Sequence, residues 1–507
     1  MLWRALGSKN NLKKPAPVIS VFGTGSDVGK SIVTTALCRY FVNQGLKVSP
    51  FKAQNMSNNS GVTPEGLEMG RAQIVQAEAS GIPPHVDMNP ILLKPTSKIG
   101  AQVVLLGKVY KNSTAIEYHQ KKEHLFNQAA MALARLRQTH DLIIMEGAGS
   151  CAEVNLMEHD IVNFPMAEHA GSPVILVADI HKGGVFAQIV GTMACLPENY
   201  KSLVGGFIIN KFRGDIRLFQ EGTTWIEEKA RRPVFGVLPW YEHILIEAED
   251  SVAMETVPKG LRPATGKPVV AVIRLPHIAN FNDIDPLLRV KDIDLRFLER
   301  PEDLSTVRAV IIPGSKNTIE DLIWMRETGM EEALRAFEKN GGHILGICGG
   351  FQMLGQVVHD PQGLESDKGS VAGLGMLPVT TMLEAPKTTS LTQVAWSAQM
   401  GIGYEIHMGH TDRTGGTPMF RVMRRNDKKV DDDDGAVSDD GRVMGTYLHG
   451  LFEAPGILKK WLDHIGVTDA AVPEIGGLDA RNREYDLLAD HLSAHVDMEK
   501  IKRLIGM

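Results

Sequence analysis

Short apolar runs recur along this chain, and each stops at a polar or glycine-rich turn. Val18–Phe22, Lys47–Phe51, Asp141–Met145, Val174–Ala178, Gly206–Asn210 and Val234–Pro239 have the length and composition of buried strands. Helical patterns lie between them. Val33, Leu37 and Tyr40 mark one, Gly70–Ala79 a second, and Leu125, Ala129, Ala132 and Leu136, at i, i+4, i+7 and i+11, a third. Gln102–Leu106 reads as a further β segment. Strands alternating with helices predict a mostly parallel, doubly wound α/β sheet. Residues 247–267 mix charge, Pro and Gly without a period, as expected of a linker. The chain then divides into a first domain at 1–246, a second α/β domain at 268–466 that opens with Val269–Ile273, and a helical tail at 467–507.

The second domain is organised around one turn. The apolar run from His343 to Ile347 ends at Cys348, and Phe351, Leu354 and Val358 follow at i, i+3 and i+7 of a helix. Gly346-x-Cys348-x-Gly350 has the spacing of a nucleophile elbow, in which strand turns sharply into helix and lifts the nucleophile above the sheet. A buried structural thiol is the alternative for a lone cysteine, and the flanking glycines favour the elbow. The best proton acceptor is His449, at the tip of the short strand Val443–His449, because His343 and His359 do not sit at strand tips. Pro313–Thr318 is a glycine turn at another strand tip. Gly314 and Ser315, with Gly349, are expected to supply N–H groups to an oxyanion or a substrate.

The first domain carries a phosphate cradle. Val18–Phe22 runs into Gly23–Ser31 and then into a helix, so backbone N–H groups of Thr24, Gly25, Ser26, Asp27 and Gly29 face a phosphate, with Lys30 as a point charge and Ser31 beside Mg²⁺. Five residues separate Gly23 from Gly29, one more than in the common motif, a spacing similar to the dethiobiotin synthetase-like branch of P-loop proteins. Glu146, at the tip of a strand, is the second candidate Mg²⁺ ligand. Lys52, Gln54, Asn55, Asn58 and Asn59 form a dense polar run past the second strand, where open α/β sheets bind ligands.

Composition narrows the setting. At 507 residues, with 43% apolar and 22% charged positions, the chain has the make-up of a soluble protein of roughly two to four domains. A net charge of −6 gives no electrostatic case for nucleic acid. The four cysteines form no CxxC, which points to a reducing compartment. No apolar run reaches membrane-spanning length, and the start of the chain, with Trp3 and Leu6 followed by Lys9, Lys13 and Lys14, has no apolar leader core, so a cytoplasmic location is expected. The acidic run Asp431–Asp434 with Asp439 and Asp440 reads as a solvated loop rather than a metal site.

A P-loop domain followed by a Cys-His α/β domain resembles the cobyric acid synthase family of cobalamin biosynthesis. Further matching stretches are Phe51–Asn59, Asn89–Pro95, Asn210–Asp215, Leu275–Leu287, Gly403–Gly409 and Thr446–Gly450, so the resemblance spans nearly the whole chain. It implies a dethiobiotin synthetase-like P-loop domain joined to a class I glutamine amidotransferase domain. It also implies glutamine, ATP, Mg²⁺ and a corrinoid as reaction partners, Cys348 and His449 as the glutaminase pair, and amidation of the b, d, e and g carboxylates of adenosylcobyrinic acid a,c-diamide. A homo-oligomer is compatible with it. Many Cys-His amidotransferases carry a carboxylate two residues after the histidine. Here that position is Leu451, leaving Glu405 and Glu453 as candidates for the third member. Two alternatives remain open on sequence: an amide ligase for another acid, and a nucleotide-switched scaffold.

Overall fold

The apolar runs of the first half become adjacent parallel strands because each is buried on both faces. Their order across a six-stranded sheet is Val234–Pro239, Val204–Phe212, Val174–Asp179, Val18–Gly23, Leu142–Glu146, Val48–Phe51, and every neighbouring pair is parallel. Gly23, Glu146, Asp179 and Asn210 all fall at or beside the carboxyl ends of their strands, which gathers the polar tips at one edge. The computed structural model describes residues 14–95, 100–114, 122–241, 244, 246, 259–261 and 266–507. The expected linker at 247–267 lies mostly outside these residues, as does the start of the chain on which the expected location rests.

The structure divides differently from the sequence. One unit comprises residues 1–53, 123–241 and 489–507, and the other 54–122 and 242–488. Hydrogen bonds hold the borrowed segments. In the second unit the Ser60 N–H donates to Asn280 Oδ1 at 2.9 Å, Thr389 Oγ1 donates to the Gly66 carbonyl at 2.6 Å, and Arg481 clamps Glu78 at 2.8 Å. In the first unit the tail is tied down by Asp497 N–H on the Phe235 carbonyl at 2.8 Å and by a bridge between Gly236 and Val496. The polar run is therefore no simple loop of the P-loop domain. Gln54–Met56 forms a strand parallel to Ile91–Pro95 in a four-stranded sheet, and Ser60–Val62 pairs with Glu68–Gly70.

The second unit has its own six-stranded sheet, ordered Asp294–Leu298, Val269–Ile273, Val307–Ile312, His343–Ile347, Val443–Thr446, Ala436–Val437, parallel except for the last pair. A five-stranded antiparallel sheet ends in Leu448–His449, with Tyr404 opposite His449. The elbow helix is shorter than its periodicity suggests. It spans Gly349–Leu354, and Val358 belongs to the strand Val357–His359. Gly355 ends it by lying close against the Val379 carbonyl, 2.8 Å from where a Cβ would stand. The acidic run is also corrected. Lys428–Asp434 is a strand, with Asp431 paired to Arg421 and Asp433 to Arg413. Asp434 is buried, accepting from the Tyr447 N–H and Thr446 hydroxyl, and burial raises its carboxyl to about 6.

Candidate active site

The elbow forms because glycine lets two backbones touch. A Cβ on Gly350 would stand 2.0 Å from the Ile312 carbonyl oxygen, and one on Gly346 would stand 2.6 Å from the Gly350 oxygen. Gly350→Ala should therefore cost about 1–3 kcal/mol, read as a lower urea midpoint. Cys348 itself sits at φ 53°, ψ −109°, a conformation that L-residues seldom adopt. The Cys348 N–H donates to Thr446 at 2.8 Å, and the Gln352 N–H to the Cys348 carbonyl at 3.0 Å, so sheet and helix both hold the turn. The thiol points to the Ile406 carbonyl at 3.4 Å.

Cys348 and His449 line one small cavity, together with Gly314, Ser315 and Gln352. A Cβ on Gly314 would stand 3.2 Å from His449 Cε1 and one on Gly349 2.8 Å from the Ser315 nitrogen, so the positions expected to donate to an oxyanion pack against the histidine and one another. His449 is fully buried. Its Nδ1 bonds Asp283 Oδ2 at 2.6 Å, and the Gly450 N–H donates to Asp283 Oδ1 at 2.7 Å. Tyr404 stacks on the imidazole at 5.1 Å. With Nδ1 held by a carboxylate, Nε2 is left for the thiol, and Asn280 Nδ2 approaches it at 3.3 Å. Burial alone would lower the imidazole pKa, but the charges of Asp283 and Cys348 outweigh it and raise the value to about 10.

Asp283 replaces both candidates for the third member. Glu405 is taken up by Ser390 and Arg425, and Glu453 by Arg481. Leu451, at the position two after the histidine, is buried among apolar neighbours. Asp283 lies in the Leu275–Leu287 stretch, on the turn Phe281–Ile284. Asp283→Asn should lower glutaminase kcat by about 10²–10⁴-fold and move the alkaline limb of its pH profile down. The linkage has a definite sign. The native imidazole pKa is raised from 6.5 to about 10, so this pair stabilises the fold fully below pH 6.5, and the contribution is lost as the pH rises toward 10. Urea unfolding of wild type and Asp283→Asn should differ most in acid and converge in alkali.

A buried ion cluster borders the same cavity. Glu68 Oε1 meets Lys94 Nζ and Oε2 meets Lys387 Nζ, each at 2.8 Å, and Lys94 also donates to Ser60 Oγ at 2.8 Å. Burial pushes the Glu68 carboxyl up, but Lys387 and Lys94 hold it well below the usual carboxylate range. Burial brings the Lys94 ammonium down to about 7. His407, stacked on Tyr447 at 3.7 Å, is lowered by burial to about 4 and stays neutral. Sequence reasoning passed over Lys94, Lys387, Asn280 and Asp283, although all but Lys387 lie in stretches that carry the family resemblance.

The P-loop site is in the other unit. Gly29 has φ 96° and abuts Asn210, whose Nδ2 donates to the Val28 carbonyl at 2.9 Å. Lys211 bonds the Asp27 carbonyl and pairs with Asp179 at 3.0 Å, so two neighbouring strand tips shape the loop. Thr24 is anchored through its N–H to the Val177 carbonyl at 3.0 Å, and Gly25 and Ser26 follow on the same turn. Lys30 Nζ bonds the Gly25 carbonyl at 3.2 Å. Ser31 Oγ donates to Glu146 Oε1 at 2.9 Å, and Lys52 Nζ pairs with that same oxygen at 2.9 Å. A hydroxyl beside a carboxylate, below a loop with a lysine, is a donor set that fits a nucleotide triphosphate and its Mg²⁺.

Lys52 is thus placed with the P-loop, apart from the rest of the polar run. Asn55 Nδ2 donates to Gln73 at 3.1 Å, Asn59 is buried, and Asn58 Oδ1 is buried with no hydrogen-bond partner among the described residues, while Gln54 is half-buried. Among the described residues, no group of three or more His, Cys, Asp or Glu side chains forms a metal cage, and no helix is long and apolar enough to cross a membrane.

A P-loop and a cavity that gathers Cys348 and His449, with Asp283 behind the imidazole, are the parts that a glutamine amidotransferase with its own ligase domain requires. The CobQ/CobB/MinD/ParA nucleotide binding domain family matches residues 19–252, and the CobB/CobQ-like glutamine amidotransferase domain family matches 269–456. A cobyric acid synthase of Chlorobium chlorochromatii is 48% identical over 491 residues, covering 96% of each chain. That of Chlorobium phaeobacteroides strain DSM 266 is 49% identical over 497 residues, covering 97% of this chain and 98% of its own, and that of Syntrophobacter fumaroxidans is 45% identical over 502, covering 96% and 98%. The chain belongs to the cobyric acid synthase family, and it is an ATP-dependent glutamine amidotransferase of the carbon–nitrogen ligase class.

Proposed function

We propose that this enzyme converts the b, d, e and g carboxylates of adenosylcobyrinic acid a,c-diamide to amides, each with one ATP and one glutamine. The observation that carries the glutaminase half is the 2.6 Å bond from Asp283 to His449, in the cavity that also holds Cys348. With the thiol's proton held on His449 Nε2, the sulfur attacks the glutamine amide carbon. The oxyanion accepts from N–H groups of the Gly314–Ser315 turn and the Gly349 end of the elbow helix. His449 returns the proton to the leaving nitrogen, which departs as ammonia and leaves a glutamyl thioester. Water, deprotonated by His449, then cleaves the thioester and releases glutamate, and the thiol regains its proton.

The other half solves the leaving-group problem. A carboxylate would have to expel oxide, so one of its oxygens attacks the γ-phosphorus of ATP, and ADP leaves. Ammonia then displaces phosphate from the acyl phosphate. Lys30 and the loop N–H groups of Gly25, Ser26, Asp27 and Gly29 hold the phosphates, with Lys52 close by; the Thr24 N–H, expected to join them, is taken by the Val177 carbonyl. Ser31 and Glu146 would hold Mg²⁺, which supplies charge neutralisation on the transferring phosphoryl group. Gln54, Asn55, Asn58 and Asn59 are assigned to the corrinoid, an assignment supported by the unpartnered Asn58 Oδ1. Asn58→Ala tests it: KM for the corrinoid should rise by roughly 10-fold with glutaminase turnover unchanged, and equal KM values would reject that assignment.

A further inference from the structure

Beside the thiol the cavity carries two charged side chains that the catalytic steps leave unused. Lys316 follows the Gly314–Ser315 turn directly, and Glu365 comes from the loop facing it; both line the space occupied by Cys348 and His449. The two other lysines of the cavity wall, Lys94 and Lys387, both pair with Glu68. Lys316, by contrast, has no ion-pair partner among the described residues. Its position is fixed by the backbone: the Lys316 N–H donates to the His277 carbonyl at 2.8 Å, and the Ser315 hydroxyl donates to Asp321. Glu365 is held from behind, with Oε2 accepting the Thr318 N–H at 2.7 Å at the start of the helix Thr318–Thr328.

Only two methylenes separate the amide of glutamine from its α-carbon. When the amide carbon meets Cys348, the α-carboxylate and α-ammonium must therefore lie within one long side chain's reach of the thiol. An ammonium and a carboxylate in that shell, each lacking a salt-bridge partner among the described residues, complement a zwitterion and nothing singly charged. We propose that Lys316 binds the α-carboxylate and Glu365 the α-ammonium of glutamine, making them the residues that select a free amino acid over other primary amides. This rests on the glutaminase assignment of Cys348. Burial favours such pairing: it lowers the Lys316 ammonium and raises the Glu365 carboxyl to about 7, so each gains from an opposite charge brought by the ligand.

The test compares three amides in glutamate-dehydrogenase-free ammonia-release assays on the full chain: glutamine, glutaramate, which lacks the α-ammonium, and 4-aminobutanamide, which lacks the α-carboxylate. Wild type should prefer glutamine over each analogue by about 10- to 100-fold in kcat/KM. Lys316→Met should lose most of its preference over 4-aminobutanamide and keep that over glutaramate. Glu365→Gln, which retains an acceptor for the Thr318 N–H, should do the reverse. Parallel loss toward all three amides would mean a structural role and would overturn the proposal, as would a wild type that does not discriminate, a comparison that needs no variant to fold. Failure of wild type to hydrolyse glutamine at all would instead remove the glutaminase assignment beneath it.

Discussion

Cys348→Ala will abolish glutamine-dependent amidation, a loss of at least about 10⁴-fold, while amidation with added ammonium salt survives. The sulfur is the group that forms the thioester, and nothing else in the cavity can replace it: Gln352 is engaged with Thr318, Met408 and Tyr447, and His407 is neutral and stacked. Alanine fits the site, since Cys348 is buried and its backbone bonds to Thr446 and Gln352 do not involve the side chain. The P-loop lies in a different structural unit, so the ATP-dependent half keeps its own machinery. Product analysis with glutamine and with ammonium chloride as alternative nitrogen sources checks both halves of the expectation. Loss of both activities would show that the cysteine is needed for more than ammonia production.

Lys30→Ala will have the complementary effect. It should suppress amidation from both nitrogen sources by roughly 10²–10³-fold or more, because acyl phosphate formation precedes the entry of ammonia whatever its origin. Glutamine hydrolysis should persist at least in part. Lys30 is buried, with its ammonium on the Gly25 carbonyl, so its loss removes a charge aimed into the loop. Lys211 and Lys52 cannot stand in for it, being committed to Asp179 and Glu146. ADP release and glutamate release, measured on the same samples, separate the two sites. If ADP release with the corrinoid stayed at the wild-type rate, Lys30 would not be the phosphate-binding charge.

What could be read from sequence was local. Gly23–Ser31, the elbow at Cys348 and the strand tip at His449 each place their chemistry by short-range spacing, and all three stand at the ends of sheet strands in the fold. Asp283 was not legible in that way. Its partner lies 166 residues along the chain, and no spacing distinguishes it from Asp285 two positions later. The elbow helix was overcalled because Val358 continues an apolar period across Gly355, where backbone contact with Val379 stops the helix. Four consecutive aspartates suggest solvent and hence a loop, but the run is a strand. Arg421 from the neighbouring strand and Arg413 from another sheet pair with the outward ones, and the strand's last residue, Asp434, is buried against Thr446 and Tyr447.

The division into units was hidden for a similar reason. Residues 54–122 follow the second strand of the P-loop sheet in sequence, but Ser60 and Glu68 find partners in Asn280 and Lys387. The segment expected to touch the corrinoid therefore also borders the glutaminase cavity. Glu68→Gln should show how much that junction matters. It leaves two buried lysines without the carboxylate they share, so stability should fall by about 3–5 kcal/mol, measured by urea unfolding.

The account stands most directly on the fate of one nitrogen. Purified enzyme is given ATP, adenosylcobyrinic acid a,c-diamide and glutamine carrying ¹⁵N in its side-chain amide, and the corrinoid product is examined by mass spectrometry. The expected product has exchanged hydroxyl for labelled amide at all four remaining target carboxylates, with formation dependent on ATP and on Cys348. A corrinoid recovered unchanged, or amidated without label in the absence of added ammonia, would contradict it.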